Sequence, residues 1–516
     1  MWNLLLAGLL AAASLPAAGG PSVFETSGVP APQNRIDELV FSRLKQLGIA
    51  PAALASDAVF LRRVYLDTTG SIPTAAEAAA FLADTAPDKR GVLIDRLLGR
   101  PEFADYQAMR WSDVLRIKAE FPINLWPNAA QAYYHWLRAA IRENLPYDQF
   151  ARLLLTDSGS NFREPPVNFY RAMQSREPKA IARTVALTFM GARAEKWPAQ
   201  RLDAMTRFFS RIQYKGTGEW KEEIVQLAPA TTPLTATLPD GATVRIAADQ
   251  DPRDAFARWL LAPGNPWFAR AEANRVWAWL LGRGIVEEPD DIRDDNPPEN
   301  PELLAYLSRE LAGAKFDVRH LYRLILNSAT YQLSPVPRGA GPDAAAPFAC
   351  YPLRRLDAEV LIDALNRITG TGENYSSAIP EPYTWMPDDQ RAVALPDGSI
   401  TSSFLELFGR PPRDTGYASE RNNRITDAQR LHLLNSSQVL NKIGQGPAMQ
   451  ALLRDNARNP QALVNQLYLT ILSRYPSPEE LRAVAEHSRT ATAKGAAAAV
   501  DLAWALINST EFLYRH

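Results

Sequence analysis

The chain has a single cysteine, Cys350, and only five histidines in 516 residues. One thiol excludes an internal disulfide, a cysteine-cluster zinc site and a Cys-x-x-Cys-His haem attachment. His135, His320, His432, His487 and His516 show no ligand spacing and read as packed or surface residues. An excess of charge of either sign is also missing: 56 Lys and Arg stand against 57 Asp and Glu, a net charge of -1. That balance leaves no basic footprint for nucleic acid. There is no HExxH helix, Walker loop, GxSxG elbow or EF-hand loop. Past its first residues the chain also lacks any apolar run of the roughly 20 residues a bilayer span needs.

What is present is the composition of a folded protein, 46% hydrophobic and 22% charged, and a length suited to two or three domains. Leu4 to Leu15 form an uncharged Leu/Ala run, followed by Pro16, Ala17, Ala18 and Gly19. An apolar run of this length ending in small residues is a secretory signal. Residues 1–19 are therefore expected to be a signal peptide cleaved after Gly19, and the mature chain to be periplasmic or on the cell surface. No membrane span is expected after cleavage.

A flexible leader over 20–35 precedes the first helical stripe, Ile36, Leu39, Val40, Leu44 and Leu47, which Gly48 stops. Similar stripes recur to about residue 215, broken by Gly70, Pro73, Pro101, Pro146 and Pro165-Pro166. Over 216–250 the period changes. LTATLPDGATVRIA alternates apolar and polar residues about Asp240-Gly241, as a β-hairpin does. Helical periodicity returns over 251–516, interrupted by long Pro-rich loops. The expected fold is mainly α: two helical domains joined by a short hairpin-containing linker. Near the two ends, VYLDTTGSIPTAAE (Val64–Glu77) and LYLTILSRYPSPEE (Leu467–Glu480) align without gaps. Each carries a capping box, Thr74 with Glu77 and Ser477 with Glu480, which predicts the same helix–turn–helix module twice.

Candidate chemistry is sparse. DSGS at Asp157–Ser160 reads as a helix-ending turn. The acidic loop Glu287–Asn296 offers Asp290, Asp291, Asp294 and Asp295 as oxygen ligands for Ca²⁺. It lacks the central Gly and closing Glu of a calcium loop, so a solvated loop, or one paired with Arg275, Arg283 and Arg293, is the favoured reading. Trp259, Trp267, Trp277 and Trp279 would stack on sugars if exposed, but their helical spacing reads as core.

The stretch NPWFARAEANRVWAWLLGRGIVEEPDDIRDDNPPENPELLAYLSREL (Asn265–Leu311) resembles a known pattern. So do FDVRHLYRLILNSATYQLS (Phe316–Ser334), YPLRRLDAEVLIDAL (Tyr351–Leu365), FLELFGRPPRD (Phe404–Asp414) and LHLLNSSQVLNKI (Leu431–Ile443). These runs resemble the second domain of the planctomycete-type exported proteins that pair a PSCyt (cytochrome-c-associated) domain with a PSD domain. FLRRVYLDTTGSIPT (Phe60–Thr74) and DRLLGRPEFADYQAMRWSDVLR (Asp95–Arg116) resemble the first. The resemblance assigns 36–215 to a PSCyt-type and 251–516 to a PSD-type domain. Relatives carry a Cys-x-x-Cys-His-x-His-Pro block and a later Cys-x-Cys-Glu-Arg. Here the flanks ALTFMGAR (Ala186–Arg193) and MTRFFSR (Met205–Arg211) remain without the block, and GYASERNN (Gly416–Asn423) has no cysteine. Haem is therefore expected to be absent, and no metal or haem residue carries over.

The resemblance implies an extracytoplasmic role alongside sulfatase-like enzymes and polysaccharide breakdown. Three readings follow. The first is a non-catalytic structural or scaffold component with an envelope protein partner. The second is a protein that binds or processes anionic polysaccharide, using arginine forks such as Arg275, Arg355, Arg410 and Arg413. Electron transfer, the third, is weakest without the haem block. If the second domain holds a site, the candidate ligand-binding residues are Asn274, Arg275, Asp290, Asp291, Arg354, Arg355, Arg410 and Glu420. A salt-bridged core built from the same residues is the competing reading.

Overall fold

The computed structural model describes residues 22–338, 346–490 and 495–516, so the leader read at 1–19 lies outside the described residues. The fold is mainly α. Among the described residues, strands form three small antiparallel sheets. Gly159–Ser160 and Ile212–Gly216 flank Glu223–Leu227 in the first. In the second, Leu234–Thr237 pairs with Thr243–Ile246 about Asp240-Gly241, the hairpin that the alternation predicts. The third joins Arg354–Arg355 to Tyr514–Arg515.

Helix Asp57–Thr69 shows why the two ends of the chain meet. Ser56 caps its start by accepting the Val59 N–H, and Gly70 ends it in the left-handed region at φ 57°. Every residue from Val59 to Thr69 is buried, so its two arginines must find partners inside. Arg62 donates to the carbonyls of Ile471 (2.8 Å) and Phe512 (3.0 Å). Arg63 donates to those of Tyr331 (2.6 Å) and His516 (2.8 Å) and lies over the Tyr351 ring. Charged donors on otherwise unused carbonyls are among the stronger neutral–ion hydrogen bonds.

The two echoing modules are built alike. Helix Pro460–Leu472 ends on Ser473, also left-handed at φ 64°, as its counterpart ends on Gly70. Thr74 with Glu77 and Ser477 with Glu480 both close the reciprocal bonds of a capping box. Each box Glu is further held by an arginine, Arg100 for Glu77 and Arg474 for Glu480. The modules touch directly: Arg62 of the first reaches Ile471 and Ser473 of the second.

Two hydrophobic cores result. One runs from Ile36 to Tyr351, takes in Val225, Ala236, Leu238 and Ile246 of the strand region, and receives Leu469 from the later part of the chain. The other runs from Leu356 to Phe512 around helix Ala358–Thr369, and receives Leu66, Ile72, Tyr106 and Met109 from the first part of the chain. The break in packing therefore falls near Pro352, well after the hairpin. Helices Asp57–Thr69 and Pro101–Val114 serve both cores and make them one body.

Candidate functional site

The eight candidate residues do not line one cleft. Asn274 and Arg275 sit on helix Phe268–Leu281. Asn274 is fully buried and pins the following loop, accepting from Ile285 and Val286 N–H and donating to the Val286 carbonyl. Arg275 does not reach the acidic loop. It pairs with Glu272 at 2.7 Å, donates to the Thr188 carbonyl and lies over Trp111. Burial pushes the Glu272 carboxyl up, and Arg275 offsets this only in part. The cavity beside this pair, lined by Phe103, Gln107, Trp111, Tyr147 and Glu272 among others, measures about 50 Å³, too small for a substrate.

Arg354, Arg355 and Arg410 are likewise committed. Arg354 donates to the Leu280 carbonyl and the Tyr351 hydroxyl and faces Asp67. Arg355 serves the carbonyls of Phe408 and Asn423 and the Gln429 side chain. Arg410 donates to the carbonyls of Ile400 and Asp397, with its Nε 3.6 Å from Glu359. Glu420 caps its own loop, accepting from the N–H groups of Asp414, Thr415 and Gly416.

What the fold does bring together is a buried ionic network between the two cores. Asp67 accepts the hydroxyls of Tyr351 (2.7 Å) and Tyr331 (2.9 Å) and faces Arg515 at 3.2 Å. Arg515 donates onward to Asp357 and to the Tyr106 hydroxyl, both at 2.6 Å. Asp357 also takes the Asn423 amide, and Arg421 lies 3.8 Å away. Burial alone would raise the Asp357 carboxyl. The charges of Arg515, Arg421 and Arg110 more than reverse it, holding the group far below the usual carboxylate range. Arg421 then binds Glu359 through two nitrogens (2.8 and 3.0 Å) and Asp113 through two more contacts, while Arg413 closes on the other Asp113 oxygen. Removing one partner of such a set is costly, because it strands a buried charge.

A second set is the clasp made by the acidic loop. Asp290 accepts from Arg193 on one oxygen and from the Ala418 N–H on the other, both at 2.8 Å. Asp291 is held by Lys196 and Arg293, and these partners keep its carboxyl below the ordinary range against the pull of burial. Arg283 faces Glu287 and Glu299. Tyr417 donates to Glu195 at 3.0 Å and lies under Arg193. The loop thus ties segment 191–197 to segment 416–420.

Comparison with family models decides the kinship. Residues 35–210 match PSCyt2, a protein of unknown function (DUF1549), and residues 252–488 match PSD1, a protein of unknown function (DUF1553). The chain is a PSCyt2–PSD1 protein. Searches of curated proteins and of solved structures gave no match.

The clasp joins the two places where the PSCyt2–PSD1 resemblance implies cysteines and histidines in relatives. The groups that stand there are Arg193, Glu195, Lys196, Asp290, Tyr417 and Glu420. Two are cations and none is a thiol or imidazole, so the set does not fit a covalently attached haem or a soft metal. Cys350 lies elsewhere, and burial raises its thiol above the usual value.

The PSCyt2–PSD1 body carries its exposed aromatic rings away from the tryptophans singled out in sequence. Trp277 is wholly buried, and Trp259, Trp267 and Trp279 pack against the first core. Among the exposed rings, Trp220 (53% exposed) and Tyr383 (42%) form a row with half-buried Trp126. Trp126 meets Trp220 at 5.1 Å, Trp220 meets Tyr383 at 5.7 Å, and Lys221 sits 4.1 Å over Trp126. This ledge draws one ring each from three distant segments. No local spacing announces it, and composition alone signals only that tryptophan is plentiful.

Proposed function

We propose that this PSCyt2–PSD1 chain is exported and acts as a non-catalytic structural component of a bacterial envelope complex, holding a protein partner of the sulfatase-like kind that accompanies its relatives. The observation that supports the reading is the internal commitment of its charged groups. Every candidate residue, from Asn274 to Glu420, has its hydrogen bonds inside the chain. General acid–base or oxyanion chemistry needs such groups free and facing a substrate. In this reading the chain holds no haem and needs no calcium.

Mild crosslinking and recovery of the tagged mature protein from its native envelope tests it. The expected result is one protein partner in stoichiometric amount. A monodisperse monomer that recovers no partner, or a Soret band in the purified protein, overturns it.

A second reading, polysaccharide binding, draws on the Trp126–Trp220–Tyr383 ledge, since flat exposed rings stack on sugar faces. The buried arginines do not serve this reading, because their forks are already occupied.

A further inference from the structure

The second core carries a cleft that none of the candidate residues touches. It measures about 740 Å³, within the roughly 300–1,000 Å³ of small-molecule sites. One wall is helix Ser437–Gln445, which presents Gln438, Asn441, Lys442 and Gln445. Their spacing of three, four and seven residues puts them on one face, so the helix offers the cleft an unbroken polar stripe. The facing wall is the segment 371–376, with Ser402 and Ser403 beside it.

The chemistry of the lining is uniform. Apart from two glycines, every lining residue bears a hydroxyl, amide, carboxylate or ammonium group, and Tyr375 supplies the one ring. The charges cancel and are already engaged. Glu373 accepts from Gln438 at 3.1 Å and lies 3.5 Å from Lys442. Lys442 also donates to Asn366, Thr371 and the Gly372 carbonyl. The side chains of Asn374, Ser376, Ser403, Asn441 and Gln445, by contrast, make no hydrogen bond within the described residues and stand exposed at the cleft. The result is a neutral, pre-formed set of free donors and acceptors over a paired, rigid floor.

We infer that this cleft binds a neutral oligosaccharide, with Asn441, Gln445 and Asn374 as its principal hydrogen-bonding residues. Amides and hydroxyls each donate and accept, which matches a ligand whose every hydroxyl does both. An anionic ligand would meet no unengaged cation. A peptide would look for an unpaired strand edge, an apolar groove or an arginine cluster, and none lines the cleft. Tyr375 provides the single face against which a sugar ring packs. The inference shares a ligand class with the second reading above but not its site, so either can fail without the other.

The test is calorimetric titration of the full chain with maltotriose, cellotriose, mannotriose and chitotriose, and with a sulfated trisaccharide. At least one neutral trisaccharide is expected to bind saturably, with a Kd on the order of millimolar or tighter. The double variant N441A/Q445A is expected to weaken it by about tenfold or more, and Trp220→Ala to leave it unchanged. Both cleft side chains are exposed and unbonded, so the variant's melting temperature should match the parent's and report an intact fold. Silence with all four neutral sugars overturns the inference. So does preference for the sulfated one, or binding that survives N441A/Q445A. Loss of binding in Trp220→Ala alone would move the site to the aromatic ledge.

Discussion

Arg515→Ala removes the residue that ties the two cores together, and its effect can be worked from the geometry. The guanidinium bonds Asp357 and the Tyr106 hydroxyl at 2.6 Å and Asp67 at 3.2 Å, and is itself 2% exposed. Its loss strands two buried carboxylates. Asp67 retains Tyr331, Tyr351 and Arg354, so its share of the penalty is partial. Asp357 retains the Asn423 amide at 2.6 Å and the Tyr106 hydroxyl at 3.0 Å, with Arg421 farther off at 3.8 Å. Breaking a buried pair from one side costs about 3–5 kcal/mol, and the surviving partners place Arg515→Ala near the lower end, about 3 kcal/mol. Urea unfolding followed by tryptophan fluorescence measures this as a fall in midpoint at constant slope. A double-mutant cycle with Asp357→Asn should give a coupling of about 1–3 kcal/mol. The penalty should also shrink below pH ~4, because the unfolded Asp357 takes up its proton there while the folded one resists it. A loss under ~1 kcal/mol, or strict additivity in the cycle, would show that the network is solvated and refute the reasoning.

Three further outcomes are expected. Burial lowers the His516 imidazole to about 4. The unfolded ring takes a proton near pH ~6.5, so stability is lost as pH falls from there towards 4, by up to about 3 kcal/mol. His516→Gln should flatten that slope in pH-dependent melting, and an unchanged slope refutes the assignment. Gly70→Ala adds a Cβ at φ 57° only 2.5 Å from the Tyr106 ring and should cost about 2–4 kcal/mol. Gly241→Ala, at φ 93° in open space, should cost about 1 kcal/mol, and equal melting shifts would refute the contact. Millimolar Ca²⁺ should leave the melting temperature unchanged, because Asp290 and Asp291 are occupied by Arg193, Lys196 and Arg293. A rise with added Ca²⁺ would show that the ion competes for the loop.

The features read correctly from sequence are those whose cause is local. A helical stripe from Ile36 needs only the 3.6-residue period, and a capping box needs two side chains three residues apart. The hairpin about Asp240-Gly241 is declared by alternation and turn chemistry within a few residues. The two PSCyt2–PSD1 domains are legible because their motifs are continuous runs of chain. Arg283, just before the acidic loop, and Arg293, within it, pair with acidic groups there as expected, whereas Arg275 turns to Glu272.

What only the tertiary structure decided is where distant residues meet. Asp67, Asp357 and Arg515 are 158 to 448 residues apart along the chain, and a charge carries no mark of whether its partner will be solvent, substrate or another buried group. Arg354, Arg355 and Arg410 look alike as candidate ligand forks or as structural ties until burial and the nearby carbonyls are known. The sequence by itself determined that the chain is helical, capped, two-domain and without an internal disulfide, because each of these follows from spacing and composition. Packing decided that its charges lock the cores together and that polar side chains of separate segments meet at one cleft, because burial is a property of the whole fold and not of any segment.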